Sequence, residues 1–397
     1  LRAGEAKNIA KNLMLTKSKS LSGLYIHIPF CRSKCNYCSF YSIPDRKLVP
    51  EFTDAVCGEM EMYSGEFGEF DTVYFGGGTP TVLGSESLNK IVKAIYKNFK
   101  ISGDTEWTIE ANPTGLEPGF LSTLIDTVFN RINIGVQSFN DDILKFLGRL
   151  HNAGEARKAI KDARSAGLKN IAIDLIYGVP GQDMACWMET LEQAVGLSPE
   201  HLSCYQLTIE KGTPLGRRLA AGEISIPDED LQYEFFMTTS EFLQRNGYVH
   251  YEISNFSRRL EFASIHNQKY WEHIPYLGLG PAAHSFSGSQ RWWNYSDISI
   301  YIDKLARGKS PRENSEQIGP AEICLEMLGL GLRTRKGICL TDLEQTRGRP
   351  LASKELDLLK TLCGGGYANL CDGWFRPTLK GMAVADRLAL EISVISD

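Results

Sequence analysis

The chain has 397 residues, 43% of them hydrophobic, with 43 basic and 48 acidic side chains and a formal net charge of −5. That length holds one large domain and one or two small ones, and the acidic balance, with no long basic run, argues against a nucleic-acid partner held through its phosphates. No apolar run is long enough to span a bilayer, and seven of the ten cysteines are scattered, which reads as free thiols and not as a disulfide framework.

Residues 1–20 are rich in Lys and Ser and lack the apolar core of a secretory signal. They are expected to form a non-native or disordered leader over 1–21, with Met14 as the true start. The alternative is an organelle transit remnant, since Glu5 is the single acid in the stretch.

From residue 24 short apolar runs alternate with helical patterns, the mark of parallel β/α units. Strands are expected at 24–28, 71–75, 105–110, 131–136, 169–175 and 201–207. Helices are expected at 51–63, 86–98, 118–127, 140–147, 153–166 and 184–196. The period is clear in Leu88, Ile91, Val92 and Ile95. Six such units predict an α/β fold, a curved and partly open (β/α)6 barrel, in which ligands collect at the carboxyl ends of the strands.

The first strand ends at Pro29 and leads into Cys31, Cys35 and Cys38, spaced C-x3-C-x2-C. Thiolates suit iron–sulfur clusters or zinc. A structural zinc site normally closes with four ligands, and position 40 is Phe, so three thiolates here leave one metal corner open. The second strand ends in Gly76-Gly77-Gly78-Thr79-Pro80, where missing side chains let backbone approach a ligand. The third ends in Glu110-Ala111-Asn112-Pro113, a carboxylate able to accept from ribose hydroxyls or an amino group. The fourth runs into Gln137, with Arg149, a planar cation suited to a carboxylate, and His151, expected to cap or pack. In the fifth, Asp174 sits in an apolar run and must have a partner. The sixth, with Tyr205 and Gln206, is expected to close the mouth.

After about residue 214 the alternation stops. Residues 228–246 read as an amphipathic helix with an acidic start. Then comes His266-Asn267-Gln268-Lys269-Tyr270-Trp271, an HNxxYW run, followed by the glycine-rich Leu277 to Phe286 with His284. Imidazole is a common axial ligand of heme iron, and flanking aromatics can stack on a porphyrin. A packed histidine beside a core Trp is the competing reading. From 309 onward, helical segments, a Trp374-Phe375 strand pair and a last helix predict a small winged-helix-like unit.

These residues resemble the radical S-adenosylmethionine (SAM) family, and the lead-in YIHIPFC resembles its oxygen-independent coproporphyrinogen oxidase branch. The resemblance covers the chain from about residue 22. It implies a radical SAM core over 22–215, an extension over 216–308 and a C-terminal domain over 309–397. It implies that Cys31, Cys35 and Cys38 hold a [4Fe–4S] cluster whose fourth iron binds SAM. Tyr25, Gly77, Gly78, Thr79, Glu110, Gln137, Arg149 and Asp174 would line SAM, with Tyr37 beside the cluster as a backbone contact.

Within the family, Phe40, where the oxidase carries a fourth cysteine, and HNxxYW resemble the HemW heme-chaperone branch. That resemblance implies a carrier of heme, with His266 as leading heme ligand and His284 as second. It implies delivery of heme to apo-hemoproteins of respiratory enzymes at the membrane, a homodimer, and no oxidase catalysis. A cluster held by cysteines makes the reducing cytoplasm the expected location. The alternatives are coproporphyrinogen III dehydrogenation, served by a reductant such as flavodoxin, and a methyltransferase or heme-degrading relative.

Overall fold

The computed structural model describes residues 21–125 and 127–396. The leader, with Glu5 and Met14, lies outside them apart from Leu21. Six parallel strands form the centre: β1 (Ser22–Ile28), β2 (Glu69–Gly77), β3 (Lys100–Ala111), β4 (Arg131–Gln137), β5 (Ile171–Tyr177) and β6 (His201–Gln206). They lie side by side in chain order, joined by helices such as Val49–Met62, Gly84–Asn98, Ala153–Ser165 and Met184–Gly196. Each expected strand is present. β3 begins earlier than its apolar core suggests, because Lys100 and Ile101 pair with Glu69 and Phe70 at the foot of β2.

The sheet is open and twelve-stranded. On the β6 side it gains β7 (Val249–Glu252) and β8 (Asn255–Ser257), with β8 antiparallel to β6. On the β1 side it gains β9 (Tyr276–Leu279), β10 (His284–Phe286), β11 (Gln290–Asn294) and β12 (Arg312–Gln317). β9 runs parallel to β1, in register from Gly23 opposite Tyr276 to Ile26 opposite Leu279, and the rest follow as an antiparallel meander.

The two faces of the central strands differ in chemistry. Leu24, Ile26, Ile28, Val73, Phe75, Ile109, Ile132, Ile134 and Leu202 are fully buried and pack in the main apolar core with residues of the helices. The alternate positions carry Tyr25, His27, Tyr74, Glu110, Asn133, Gln137, Asp174, Ser203 and Tyr205. Parallel sheets covered on both faces usually read as continuous apolar runs. Here the concave face is polar, so the inside of the curve is a chamber and not a core.

The HNxxYW helix, Ile265–Trp271, is packed against β1 and β2. Ser264 caps it, and the buried Glu106 carboxylate accepts from the Ile265 and His266 amides at its start, 3.1 and 3.0 Å away. Gly23 makes room for it, since a Cβ there would lie 2.9 Å from the Lys269 side chain and 3.2 Å from the His266 ring.

The C-terminal unit has its own apolar core, including Leu328, Leu332, Leu359, Phe375 and Leu388. Its small sheet places β15 (Trp374–Pro377) between β13 (Ile338–Cys339) and β14 (Ala368–Cys371), beside helices Pro320–Gly331, Ser353–Gly364 and Ala385–Ser396. This is the expected winged-helix-like arrangement. It docks on the extension through Ile253 N–H to Arg333 C=O (2.8 Å) and Arg335 N–H to Tyr251 C=O (3.0 Å). Among the described residues no helix is long and apolar enough to cross a membrane.

Candidate functional site

The cysteine loop is closed at its neck by backbone. Cys31 N–H donates to Ile43 C=O (3.0 Å) and Ile43 N–H to Pro29 C=O (2.8 Å). In its middle, Asn36 N–H donates to Leu147 C=O, its side chain to Phe146 C=O, and its own carbonyl accepts from Leu215 N–H. The loop is therefore tied to the end of β1 and to the helices Asp141–Leu147 and Pro214–Ala220 that follow β4 and β6, while its three thiols stay half-buried and free of disulfides.

Two polar groups touch those thiols. The Arg149 guanidinium lies 3.2 Å from Cys35 Sγ, and the Thr79 hydroxyl 3.6 Å from Cys31 Sγ. Burial raises the Cys38 thiol pKa. Among the described residues no three His, Cys, Asp or Glu side chains close on one point as ligands of a single metal ion do. A [4Fe–4S] cluster makes a different demand, because each thiolate takes a separate iron and the three stand further apart. The donor set therefore fits a cluster: three half-buried thiols on one loop, with a cation beside one of them.

The glycines of the second strand end serve the cysteine loop. Gly77 has φ 102°, and a Cβ there would meet the His27 ring at 2.5 Å. One on Gly78 would meet Phe30 C=O at 2.5 Å. Gly78 and Thr79 N–H donate to Ile28 and Phe30 C=O at 2.8 and 2.7 Å, and Gly77 N–H donates to Glu110 Oε2 at 3.2 Å. All three amides are committed, so a ligand would meet the carbonyls of this segment and not its N–H groups.

Glu110 also accepts from the Tyr74 hydroxyl at 2.7 Å. Burial outweighs these donors and pushes its pKa up to about 7. Asp174 has the partner its burial demanded, the Asn133 amide at 2.7 Å, and burial raises its pKa as well. Gln137 is buried at φ 71°, a left-handed conformation rare outside glycine that tends to mark functional positions. Tyr37 is half-exposed, with Asp174, Cys35 and Arg149 near enough to act on its hydroxyl.

Sequence reasoning missed Asn112, which joins three strand ends. Its amide nitrogen donates to Thr79 Oγ1 at 2.7 Å, and its amide oxygen accepts from Arg149, which also donates to Gly135 C=O at 2.7 Å. Its place in EANP, two residues past Glu110, was the available signal. His27, Tyr74 and Tyr205 were also missed as site residues. All three share the inward register with Tyr25, which period-two counting shows once the polar face is known.

Tyr25, His27, Phe40, Tyr74, Gly77, Glu110, Tyr205, His266, Tyr270 and His284 line one inner chamber of about 610 Å³. Phe40 is 63% exposed at its lip. His266 enters this site differently from the expectation of an iron ligand. It is buried, with Nδ1 2.8 Å from Thr72 Oγ1 and Nε2 2.9 Å from the Tyr270 hydroxyl. It stacks on Tyr74 at 5.0 Å between centroids, and burial, helped by Lys269, lowers its pKa to about 3. Both ring nitrogens are engaged, so iron would displace a buried hydrogen bond. The packed reading describes this residue. His151 also packs, with Nε2 3.0 Å from Val136 C=O. His284 is exposed on β10.

A model of the radical SAM superfamily matches residues 25–194, and one of the HemN C-terminal domain matches residues 318–384. The heme chaperone HemW of Bacillus subtilis is 33% identical over 351 residues, covering 87% of this chain and 92% of that protein. HemW of Mycobacterium tuberculosis is 33% identical over 332 residues, covering 81% and 84%. The mitochondrial radical S-adenosyl methionine domain-containing protein 1 of Mus musculus is 30% identical over 391 residues, covering 94% and 87%. The solved coproporphyrinogen III oxidase HemN of Escherichia coli, a radical SAM enzyme, superposes with a TM-score of 0.81 at 22% identity, over 98% of this chain and 93% of that one, and so shares the fold. Cysteine loop, polar strand ends and buried HNxxYW helix thus sit on a known frame, and the chain belongs to the HemW family of radical SAM proteins.

Proposed function

We propose that this chain is a heme carrier that binds heme, a [4Fe–4S] cluster and SAM, and hands heme to apo-hemoproteins of respiratory enzymes. The observation that carries it is Phe40, exposed at the chamber lip where the oxidase branch has a cysteine, in a chain whose relatives are named heme chaperones.

Cys31, Cys35 and Cys38 would hold the cluster. Bound there, it would supply an open iron corner able to chelate SAM and pass it one electron. The chain's own groups prepare that place. Arg149 holds positive charge against Cys35. Glu110, with its carboxylate fixed by Tyr74 and Gly77, offers an acceptor beside Gly76 and Gly77. Gln137 adds an amide at the end of β4 and Asp174 a carboxyl within β5, and Tyr25 and Thr79 bound the space. Tyr37 stands beside the thiols. The expected compartment is reducing, and the expected assembly a homodimer.

The experiment is an anaerobic heme titration of cluster-reconstituted protein, followed by mixing with an apo-hemoprotein and by release measured with and without SAM. One heme bound per chain and passed on supports the carrier. A release rate that changes with SAM would make cofactor occupancy the gate. Absence of stoichiometric binding would remove the reading.

A second reading, oxidative decarboxylation of coproporphyrinogen III, is favoured by one observation: a HemN-like fold carries Glu110 and Gln137 at the ends of β3 and β4, Asp174 within β5 and Arg149 against Cys35. Coproporphyrinogen turnover with stoichiometric SAM consumption would establish it.

A further inference from the structure

The chain has seven histidines, and five are hydrogen-bonded through the ring among the described residues. His27, His250 and His266 are engaged at both nitrogens. His151 and His201 are buried, each with one nitrogen engaged. His273 Nε2 lies 3.1 Å from the Glu326 carboxylate. His284 makes no hydrogen bond among the described residues and is exposed to solvent.

Its place is defined all the same. His284 pairs directly with Trp293 across β10 and β11, and the rings stack at 5.6 Å with planes 25° apart. Gly278 packs under the β10 backbone, where a Cβ would come within 2.1 Å of His284 C=O. Beside His284 runs an outer groove of about 480 Å³ with Tyr270, Tyr276, Phe286 and Trp293 among its walls and Arg291 at its edge. That size suits a small organic ligand. His284, Tyr270 and Tyr276 also line the inner chamber, so they form the partition between the two spaces.

We infer that the outer groove is the seat of the heme, with His284 as the axial ligand of its iron. This rests on the heme-carrier reading and names its site. Three features select a metalloporphyrin: an imidazole with no competing partner, flat aromatic walls for an apolar macrocycle, and a cation for its carboxylates. Arg291 is held by Glu326 through Nη2 at 3.1 and 2.9 Å and can serve there through Nη1, whose contact to the half-exposed Glu316 at 3.2 Å is of the kind that contributes little and is readily exchanged. Heme seated at this partition touches Tyr270 and Tyr276, whose other sides face the chamber. Cluster or SAM occupancy then reaches the heme through two side chains, without a change of fold.

The test uses full-length, cluster-reconstituted protein loaded with ferric heme. Absorbance and resonance Raman spectra are recorded for wild type, His284→Ala and His284→Met, with transfer to apomyoglobin as the off-rate. The expected result is a histidine-ligated spectrum in wild type, lost in His284→Ala with at least tenfold faster transfer and restored by added imidazole. His284→Met would give a changed spectrum at the same stoichiometry. Since the side chain is exposed, far-UV circular dichroism should not change. An unaltered spectrum and off-rate in His284→Ala, while wild type binds one heme, would overturn the site and leave the carrier reading standing. A wild type that binds no heme would overturn both.

Discussion

The cysteine loop and the HNxxYW helix are both short, both lean on β1 and β2, and are built in opposite ways. The loop is fixed by its backbone, and its reactive side chains are left with few partners: Arg149 on Cys35 and Thr79 on Cys31. The helix is fixed by its side chains. His266 bonds Thr72 and Tyr270, and the buried Lys269 pairs with Asp71 and donates to Leu21 C=O. A rigid frame with underused soft ligands is prepared for something absent. A set of buried groups that satisfy one another is complete already. The lesson is to look for function where chemistry is left unspent, and His284 belongs with the cysteines on that count.

The contrast can be broken most sharply at the thiols. Alanine at Cys31, Cys35 or Cys38 should reduce cluster iron after anaerobic reconstitution to background. Stability should stay within about 1 kcal/mol of wild type, because no packing is lost. A large fall in urea midpoint would show that the loop is structural after all.

His266→Ala should cost about 2–4 kcal/mol, since it opens a cavity and leaves Thr72 and Tyr270 unpaired in the interior. His284→Ala should cost no more than about 0.5 kcal/mol. Equal costs in denaturant titrations would erase the distinction between the two imidazoles.

Gly77→Ala should destabilise by about 2–3 kcal/mol, from the positive φ and the contact with His27. Because that contact is to the residue two before Pro29, cluster uptake should fall with it. Normal uptake at reduced stability would separate the glycine from the loop.

The smallest effect concerns pH. Glu59 is fully buried, and burial pushes its pKa up to about 7 against the donors Tyr301, Gly280 and Asn294. The folded state therefore holds a proton that the unfolded chain releases at lower pH. The stability this gives is present below about pH 4.5 and is lost as pH rises through 7. Glu110 and Glu252, also raised to about 7, add the same sign. The buried histidines, held down to about 4 at His27, His151 and His250, add the opposite sign, so the Glu59 share is read as the difference in stability between wild type and Glu59→Gln, which should shift by about 2 kcal/mol between pH 5 and 7. A difference that does not change with pH would show that Glu59 is ionised in the fold.

Much of this was legible in the chain because the relevant order is local. The β/α alternation fixed six strands, and the strand ends named Glu110, Gln137 and Asp174. The pairing of β9 with β1 was not legible. Gly23 and Tyr276 are far apart in sequence, and nothing near either announces the other. Asn112 was hidden for a related reason: its contacts with Thr79 and Arg149 exist only once three strand ends meet. At His266 composition shows an imidazole but not whether its nitrogens are taken, and both are engaged.

The pairing of β1 has a consequence for how the protein is made. The strand that presents the three thiols is translated together with its first neighbour, β2, yet its second neighbour, β9, follows some 250 residues later. Until then β1 is an edge, and the His266–Lys269 side chains that fill the space beside Gly23 have not been made. Metal loading that needs a fixed loop is in this way a late event of biosynthesis. A truncated chain would expose thiols without the frame that holds them, so the geometry itself acts as a check on completeness.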